Sequence, residues 1–208
     1  MSKLTIRPVC RLCRREGEKL YLKGAKCESS KCPVMTKNYP PGQHGQNVRK
    51  SKSEFSRQLR EKQKAKRMFG LNEKQFYNYY AMAVKTKGVT SYEFLKLLEK
   101  RLDNVLYRAG IADSRAQGRQ IVNHGLCMVN GKKVKTPNYQ VKTGDKFEIK
   151  VKLQGSKLFD GAKGKKDMSP KWIKVDLHAL KGEITANPLK DDFEKNIQTN
   201  LIIEYYSK

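Results

Sequence analysis

Four cysteines near the start of the chain have types and spacing that could do chemistry together. Cys10 and Cys13 are separated by two residues, Cys27 and Cys32 by four, with thirteen residues between the pairs. Each pair can present two thiolates from one tight turn, and two such pairs can close a tetrahedral zinc site. Four thiolates leave no open coordination position. The expected cofactor is therefore one structural Zn2+, folding a short segment too small to build its own core. A redox or disulfide role is the alternative. The odd fifth cysteine, Cys127, argues against a secreted disulfide scaffold. It is expected to be an inert thiol in a strand.

The cysteines sit in a strongly basic chain. Lys and Arg number 45 against 20 Asp and Glu, a formal charge of +25 over 208 residues. Such an excess repels itself unless a polyanion neutralises it, and a phosphate backbone does so while releasing counterions. An anionic membrane is the rival partner. No apolar run approaches the ~20 residues of a spanning helix. No secretory or lipidation signal is read either, so a reducing cytoplasm is expected. The charge is uneven. Residues 1–69 hold 19 basic and 5 acidic residues, whereas 176–208 hold 4 and 6. The acidic end is a poor RNA surface and is expected to pack inside the protein or against a protein neighbour.

Several basic and amide side chains are candidates for nucleic acid. Arg49, Lys50 and Lys52 follow the ordered turn expected at Tyr39-Pro40-Pro41-Gly42-Gln43-His44-Gly45. Arg57, Arg60, Lys64 and Arg67 recur at helical steps and share one face. A charged face is usually only solvated, but basic neighbours on both sides favour phosphate binding here. Arg108, Ser114, Arg115, Arg119, Gln120, Asn123 and His124 cluster around a helix-turn-helix, and Lys132 and Lys133 follow a hairpin turn. Arginine forks and amides can take phosphates, 2′-hydroxyls and exposed bases together. His124 reads equally well as a capping or core residue.

These residues need elements to position them. A helix is expected from Ser53-Glu54 to Gly70, with Phe55, Leu59 and Phe69 as apolar contacts. A second should run from about Asn72 to Lys85 with Phe76, Tyr79, Tyr80 and Val84 on its buried side. A long stripe, Phe94, Leu95, Leu98, Leu102, Val105 and Leu106, reads as one helix ending near Gly110; its aromatics are taken as core rather than base-stacking. Asp113-Ser114 reads as an N-cap for a short helix stopped by Gly125. Asn130-Gly131 between strand-like runs predicts a hairpin, because both residues tolerate positive φ. Tyr139-Val141 and Phe147-Val151 are expected to pair across Thr143-Gly144-Asp145. Residues 155–171 read as a flexible basic loop and 172–175 and 182–185 as strands; in the final segment Asp191-Asp192 could open a helix, the reading preferred, while Leu201, Ile203 and Tyr205 also alternate like a strand.

The segments Arg101-Leu102-Asp103-Asn104-Val105, Tyr107-Arg108, Ser114-Arg115-Ala116 and Val129-Asn130-Gly131 closely resemble the RNA-binding module of the small-subunit ribosomal protein four family. Tyr39 to Gly45, Leu59 to Lys64, Gln75 to Tyr80 and Tyr206-Ser207-Lys208 extend the resemblance over nearly the whole chain. The cysteine pattern resembles the family's zinc-containing bacterial form. The resemblance implies a ribosomal RNA binder of the small subunit that acts early in assembly at a helix junction of the 5′ domain. It implies a place beside the messenger RNA entry channel, next to small-subunit ribosomal proteins three and five, and an influence on decoding accuracy. The implied fold is α+β. A zinc knuckle at 1–45 precedes a helical domain at 46–96 completed by 187–208. An inserted domain at 97–186 holds an antiparallel sheet and the RNA-binding module at about 99–160. Family members often carry a longer basic helix where this chain has Gly155, Gly161 and Gly164, so a shorter or broken helix is expected there.

Two other functions compete. An RNA-modifying enzyme can carry such a module as an accessory, but it needs a separate catalytic domain. No Gly-rich phosphate loop is present, and Asp103 and Asp113 read as packing and capping residues. A free zinc-dependent RNA regulator needs only the basic surface. The reading adopted is a structural ribosomal RNA-binding protein, not an enzyme, with no membrane and no small-molecule substrate.

Overall fold

The structure, a computed structural model, describes residues 8–47, 53–164 and 169–207. In chain order the described residues form α1 (Cys10–Glu16), α2 (Ala25–Glu28), α3 (Pro33–Thr36), α4 (Glu54–Met68), α5 (Glu73–Lys85), α6 (Thr90–Glu99), α7 (Leu102–Arg108), α8 (Arg115–Asn123), β1 (Cys127–Val129), β2 (Lys132–Lys133), β3 (Lys146–Ile149), α9 (Asp160–Lys163), β4 (Ile173–Asp176), β5 (Lys181–Ile184) and α10 (Thr199–Tyr206). They fall into two compact units, Met1–Leu71 with Ile197–Lys208, and Asn72–Asn196. The second unit is inserted between the two segments of the first, and α5 and α6 belong to it. They pack there edge-to-face through Phe76 and Phe94, 5.2 Å apart. Tyr79 of α5 also accepts a 2.7 Å hydrogen bond from Arg101.

The first unit is built with few apolar residues. Ser53 caps α4 by accepting the Ser56 N–H. The buried side of α4 is largely polar: Gln58, Glu61, Lys62 and Lys64 join Ala65 and Met68. Those polar groups have assigned uses. Glu61 accepts the Gln198 N–H at 2.7 Å and so caps the start of α10, and Gln58 donates to Glu204 at 3.1 Å. The Lys62 ammonium lies 4.3 Å from the Tyr205 ring centre. Phe55, expected as an apolar contact, is exposed on one side and lies tilted against the same ring, 5.8 Å between centres.

The second unit has one continuous apolar core, running from Leu102, Val105 and Leu106 through Ile121 and Val122 to Phe147, Ile149, Trp172, Ile173 and Ile184. It fills the space between α7, α8 and one face of an antiparallel sheet of order β2-β1-β3-β5-β4. On the other face, opposite charges stand across the strands: Lys146 opposes Glu183, which opposes Lys174, and Glu148 opposes Lys181, which opposes Asp176.

Four expectations are corrected. The single long helix to Gly110 is two helices, because Arg101 is extended (ψ 135°) between α6 and α7. The Leu102 and Asp103 N–H groups are given to Tyr139 and Pro137 carbonyls at 2.9 and 3.2 Å, which starts a new helix against residues 137–140. For the same reason Tyr139-Val141 is no strand; only Gln140 bridges, to Arg101, and β3 pairs with β1 and β5 instead. Val84 is exposed, since the buried stripe of α5 is Phe76, Tyr79 and Ala83. Seven residues return nearly to the same side of a helix, and the eighth does not. Residues 155–164 are anchored rather than loose: a 3-10 turn and the four-residue α9 bury Phe159 and Ala162 in the core. The short, broken helix there, and the terminal helix, are as the sequence suggested.

Gly118 lies inside α8, where alanine is intrinsically better by about 1 kcal/mol. A Cβ at Gly118, however, would lie 2.4 Å from the Asp103 carbonyl oxygen of α7. Gly118→Ala is therefore expected to lower stability by roughly 1–3 kcal/mol through forced separation of the helices. Urea unfolding checks the sign; a gain would mean that propensity outweighs the contact.

Candidate nucleic-acid interface

The helix-turn-helix and hairpin converge on one surface. Ser114 caps α8, its hydroxyl accepting the Gln117 N–H, as the sequence indicated. Ile121 and Val122 bury one side of the helix, leaving Gln120, Asn123 and His124 exposed on the other. The hairpin turns at Asn130 (φ 50°) and Gly131 (φ 75°), with Met128 opposite Lys133 and Val129 opposite Lys132. The Asn130 side chain donates to Asp145 at 2.8 Å and accepts the Lys146 N–H at 2.9 Å, so the turn is pinned to β3. Lys132 and Lys133 are exposed. The Lys133 and Lys135 side chains run across Gly125, beyond the end of α8. That brings ammonium charge to the helix C-terminus, where it is favoured, and makes helix and hairpin a single surface. Lys135 was not singled out from the sequence, although it continues the Lys132-Lys133 run.

The arginines grouped with these residues are placed differently. Arg119 directs Nε and Nη2 to the Asp103 carboxylate at 3.0 and 2.8 Å. Arg101 takes the same carboxylate at 3.0 and 2.7 Å. Arg108 binds Glu99 at 2.9 and 2.7 Å and lies 3.3 Å from Glu194. Arg115 reaches Asn104 at 2.7 Å and Glu194 at 2.5 Å, with its guanidinium 4.6 Å from the Tyr107 ring centre. These forks point inward, onto carboxylates. Burial works against charge on Arg108, yet Glu99 and Glu194 carry its pKa above the ordinary value. Burial likewise works to raise Glu194, but Arg115 and Arg108 pull it below the ordinary carboxylate range. Nothing in the local sequence marks acid partners as distant as Glu194.

The basic stripe on α4 is also paired. Arg60 lies 3.4 Å from Glu16, and Arg67 contacts the same carboxylate. Lys64 lies 2.9 Å from Glu61 and 3.5 Å from Glu18. Arg57 is the most exposed of the four, 3.6 Å from Glu54. The Glu16 carboxylate is almost fully buried, and burial raises its pKa against the pull of Arg67 and Arg60. Arg49, Lys50 and Lys52 lie outside the described residues.

The four N-terminal cysteines share one lobe. Cys13, Cys27 and Cys32 are buried and Cys10 is half-buried. Burial pushes the Cys13 thiol up, a backbone hydrogen bond from Leu20 lowers it, and Cys27, Cys10 and Cys32 raise it further. The Lys23 N–H donates to the Cys27 sulfur at 3.3 Å. Among the described residues, no group of three or more His, Cys, Asp or Glu side chains is arranged to hold a metal ion. Cys127 lies in β1, fully buried, its thiol pushed up to about 12 by burial, which suits an inert residue.

Comparison with known proteins places this architecture in a class. Residues 5–99 match the family described as ribosomal protein S4/S9 N-terminal domain, and residues 100–147 match the S4 domain. The second span contains α7, α8, the hairpin and the inward arginines. The chain is 50% identical over 205 residues to the small ribosomal subunit protein uS4 of Acetivibrio thermocellus, covering 96% of each chain. It is 50% identical to that of Caldicellulosiruptor saccharolyticus over 100% of each, and 46% identical to that of Thermus thermophilus over 98% of each. The chain belongs to the small ribosomal subunit protein uS4 family.

The Glu194 cluster has an acid signature. Because its folded pKa is depressed, its contribution is complete above the unfolded value of about 4.3 and is lost as pH falls through the lower folded value. Denaturant unfolding between pH 6 and pH 3 is expected to show this loss, and Glu194→Gln, which cannot titrate, should flatten that part of the profile. An unchanged slope would remove Glu194 as its source.

Proposed function

We propose that this chain is a structural constituent of the small ribosomal subunit, bound directly to that subunit's ribosomal RNA on the ribosome in the cytoplasm, and not an enzyme. The observation that carries this is the surface of exposed Gln120, Asn123 and His124 with Lys133 and Lys135 laid across the end of α8, within the span matching the S4 domain. It offers amides and an imidazole for bases and 2′-hydroxyls beside ammonium groups for phosphate. Family membership over nearly the whole chain supports a more detailed role: early binding at a helix junction of the 5′ domain and a place at the messenger RNA entry channel. Contacts with small-subunit proteins three and five and an effect on decoding accuracy belong to the same role. Arg49, Lys50 and Lys52, basic and placed just after the turn at residues 39–45, are the candidates for facing the channel.

Footprinting on protein-free small-subunit ribosomal RNA across a salt series tests this. Discrete protection at a helix junction that survives moderate salt is expected; diffuse protection that salt abolishes would reduce the chain to a polyanion binder. Replacing Lys132 and Lys133 together by alanine should weaken binding and lower the salt slope by about 2, roughly one for each ammonium removed from a phosphate. An unchanged slope would take the hairpin off the RNA.

We also propose that Cys10, Cys13, Cys27 and Cys32 hold one structural Zn2+. The fit rests on the donor set: four thiols in one lobe, from α1 (Cys10, Cys13), α2 (Cys27) and the start of α3 (Cys32), with backbone N–H groups reaching the sulfurs of Cys13 and Cys27. When bound, zinc would keep the thiolates deprotonated and cross-link the lobe. One zinc per chain is expected by elemental analysis. Chelation should loosen residues 1–45 while the helices after Ser53 stay folded, and global loss of helical circular dichroism would contradict this.

A further inference from the structure

We infer that Asp103 and Glu194 are positioning residues for RNA binding, one buried and one partly buried carboxylate that set the angle of α8 by gripping Arg119 and Arg115. The inference rests on the RNA reading above and assigns these arginines a different task from phosphate contact.

The grip is confined to one side of one helical turn. Arg115, Gly118 and Arg119 stand at steps of three and four, so they share a side of α8. All three are held by α7 or by the returning segment near residue 194. Asp103 is 2% exposed and receives four N–H groups, two from Arg101 and two from Arg119. Its carbonyl oxygen is the atom against which Gly118 packs. Asp103 therefore contacts α8 twice, once through the carboxylate and once through the backbone. Glu194 ties Arg115 of α8 to Arg108 of α7, and Asn104 accepts the Arg115 Nε–H. Two N–H groups of Arg119 converge on one Asp103 oxygen, and Arg115 spans Asn104 and Glu194; each two-point contact fixes direction as well as distance, which a single ammonium does not. Gln120, Asn123 and His124 are exposed on the same helix. A rotation of α8 would move all three together.

The test exploits a conflict of sign. Asp103→Asn makes the protein more positive by one charge. If Asp103 matters to RNA only as charge, the substitution tightens binding. If it positions α8, binding weakens, roughly tenfold for one set of charge-assisted hydrogen bonds, and the salt slope is unchanged because every cation that meets a phosphate is kept. Arg119→Lys keeps the charge and loses the fork, on a side chain that is partly exposed, and is expected to weaken binding in the same way. Both are measured in the full chain on protein-free small-subunit ribosomal RNA. Backbone amide spectra should show shifts in Gly118–His124 with the sheet residues Phe147 and Ile149 retained. Equal or tighter binding by either folded variant, while the unsubstituted chain binds, overturns the inference and leaves the RNA reading intact. Loss of the fold in both variants would assign the pair to stability alone and also overturns it. No discrete binding by the unsubstituted chain overturns the RNA reading, and the inference with it.

Discussion

The structure depends on how few carboxylates must serve many cations. With a surplus of 25 positive charges, burying an arginine without a counterion is prohibitive, and each acidic residue placed inside determines which basic residues can follow it. The second unit answers with shared acids. Asp103 serves Arg101 and Arg119, and Glu194 serves Arg108 and Arg115. The first unit uses the same device, Glu16 facing Arg60 and Arg67. A buried ion pair is weak evidence of stability by itself, because desolvation offsets much of the attraction. What these pairs supply is geometry: Arg101 spans both oxygens of Asp103, and Arg119 sets two N–H groups on one of them, which leaves little choice of angle.

Sorting the cations in this way separates those that build the protein from those that can meet a phosphate. Around α8 the inward forks sit at positions 115 and 119, and the exposed groups at 120, 123 and 124. The hairpin then adds Lys132, Lys133 and Lys135 at the end of the helix, where Gly125 leaves room for the stems of Lys133 and Lys135. Across the outer sheet face, lysines and acids alternate. That face is nearly neutral, which leaves the α8 and hairpin surface as the stronger anion attractor of this unit.

Much of this was legible in the sequence because it is local. The Ser114 cap, the Asn130-Gly131 turn, the α4 stripe and the short α9 each follow from residues within a few positions of one another. What could not be read was non-local. The break at Lys100-Arg101 occurs inside an unbroken apolar stripe because residues 137–141 offer carbonyls and take a bond in return. Val84 fell on the wrong side of α5 by one residue of helical phase. The inward direction of Arg108, Arg115 and Arg119 was not legible, because arginine type and clustering carry no information on direction. Their partners Glu99 and Glu194 lie up to 86 residues from Arg108, and only the fold brings them together. The excess of acid near the end of the chain suggested packing inside the protein or against a protein neighbour, and Glu194 is used in the first of these ways.

The two units solve the stability problem by different means, and the charge constraint explains the difference. The second unit has a continuous core of large apolar side chains, including Phe147, Phe159 and Trp172, so its ion pairs can be devoted to orienting α7 and α8. The first unit buries fewer such residues and lays polar groups along the inner side of α4. There the carboxylates carry structure as well as charge: Glu61 caps α10, while Glu16 and Glu18 link the cysteine-bearing segment to α4. A segment attached by charge to a charged helix gains little from hydrophobic burial. Its carboxylates, standing between the two cysteine pairs in sequence, are what hold it to Arg60, Lys64 and Arg67, so in this unit charge pairing does the work that apolar packing does in the other.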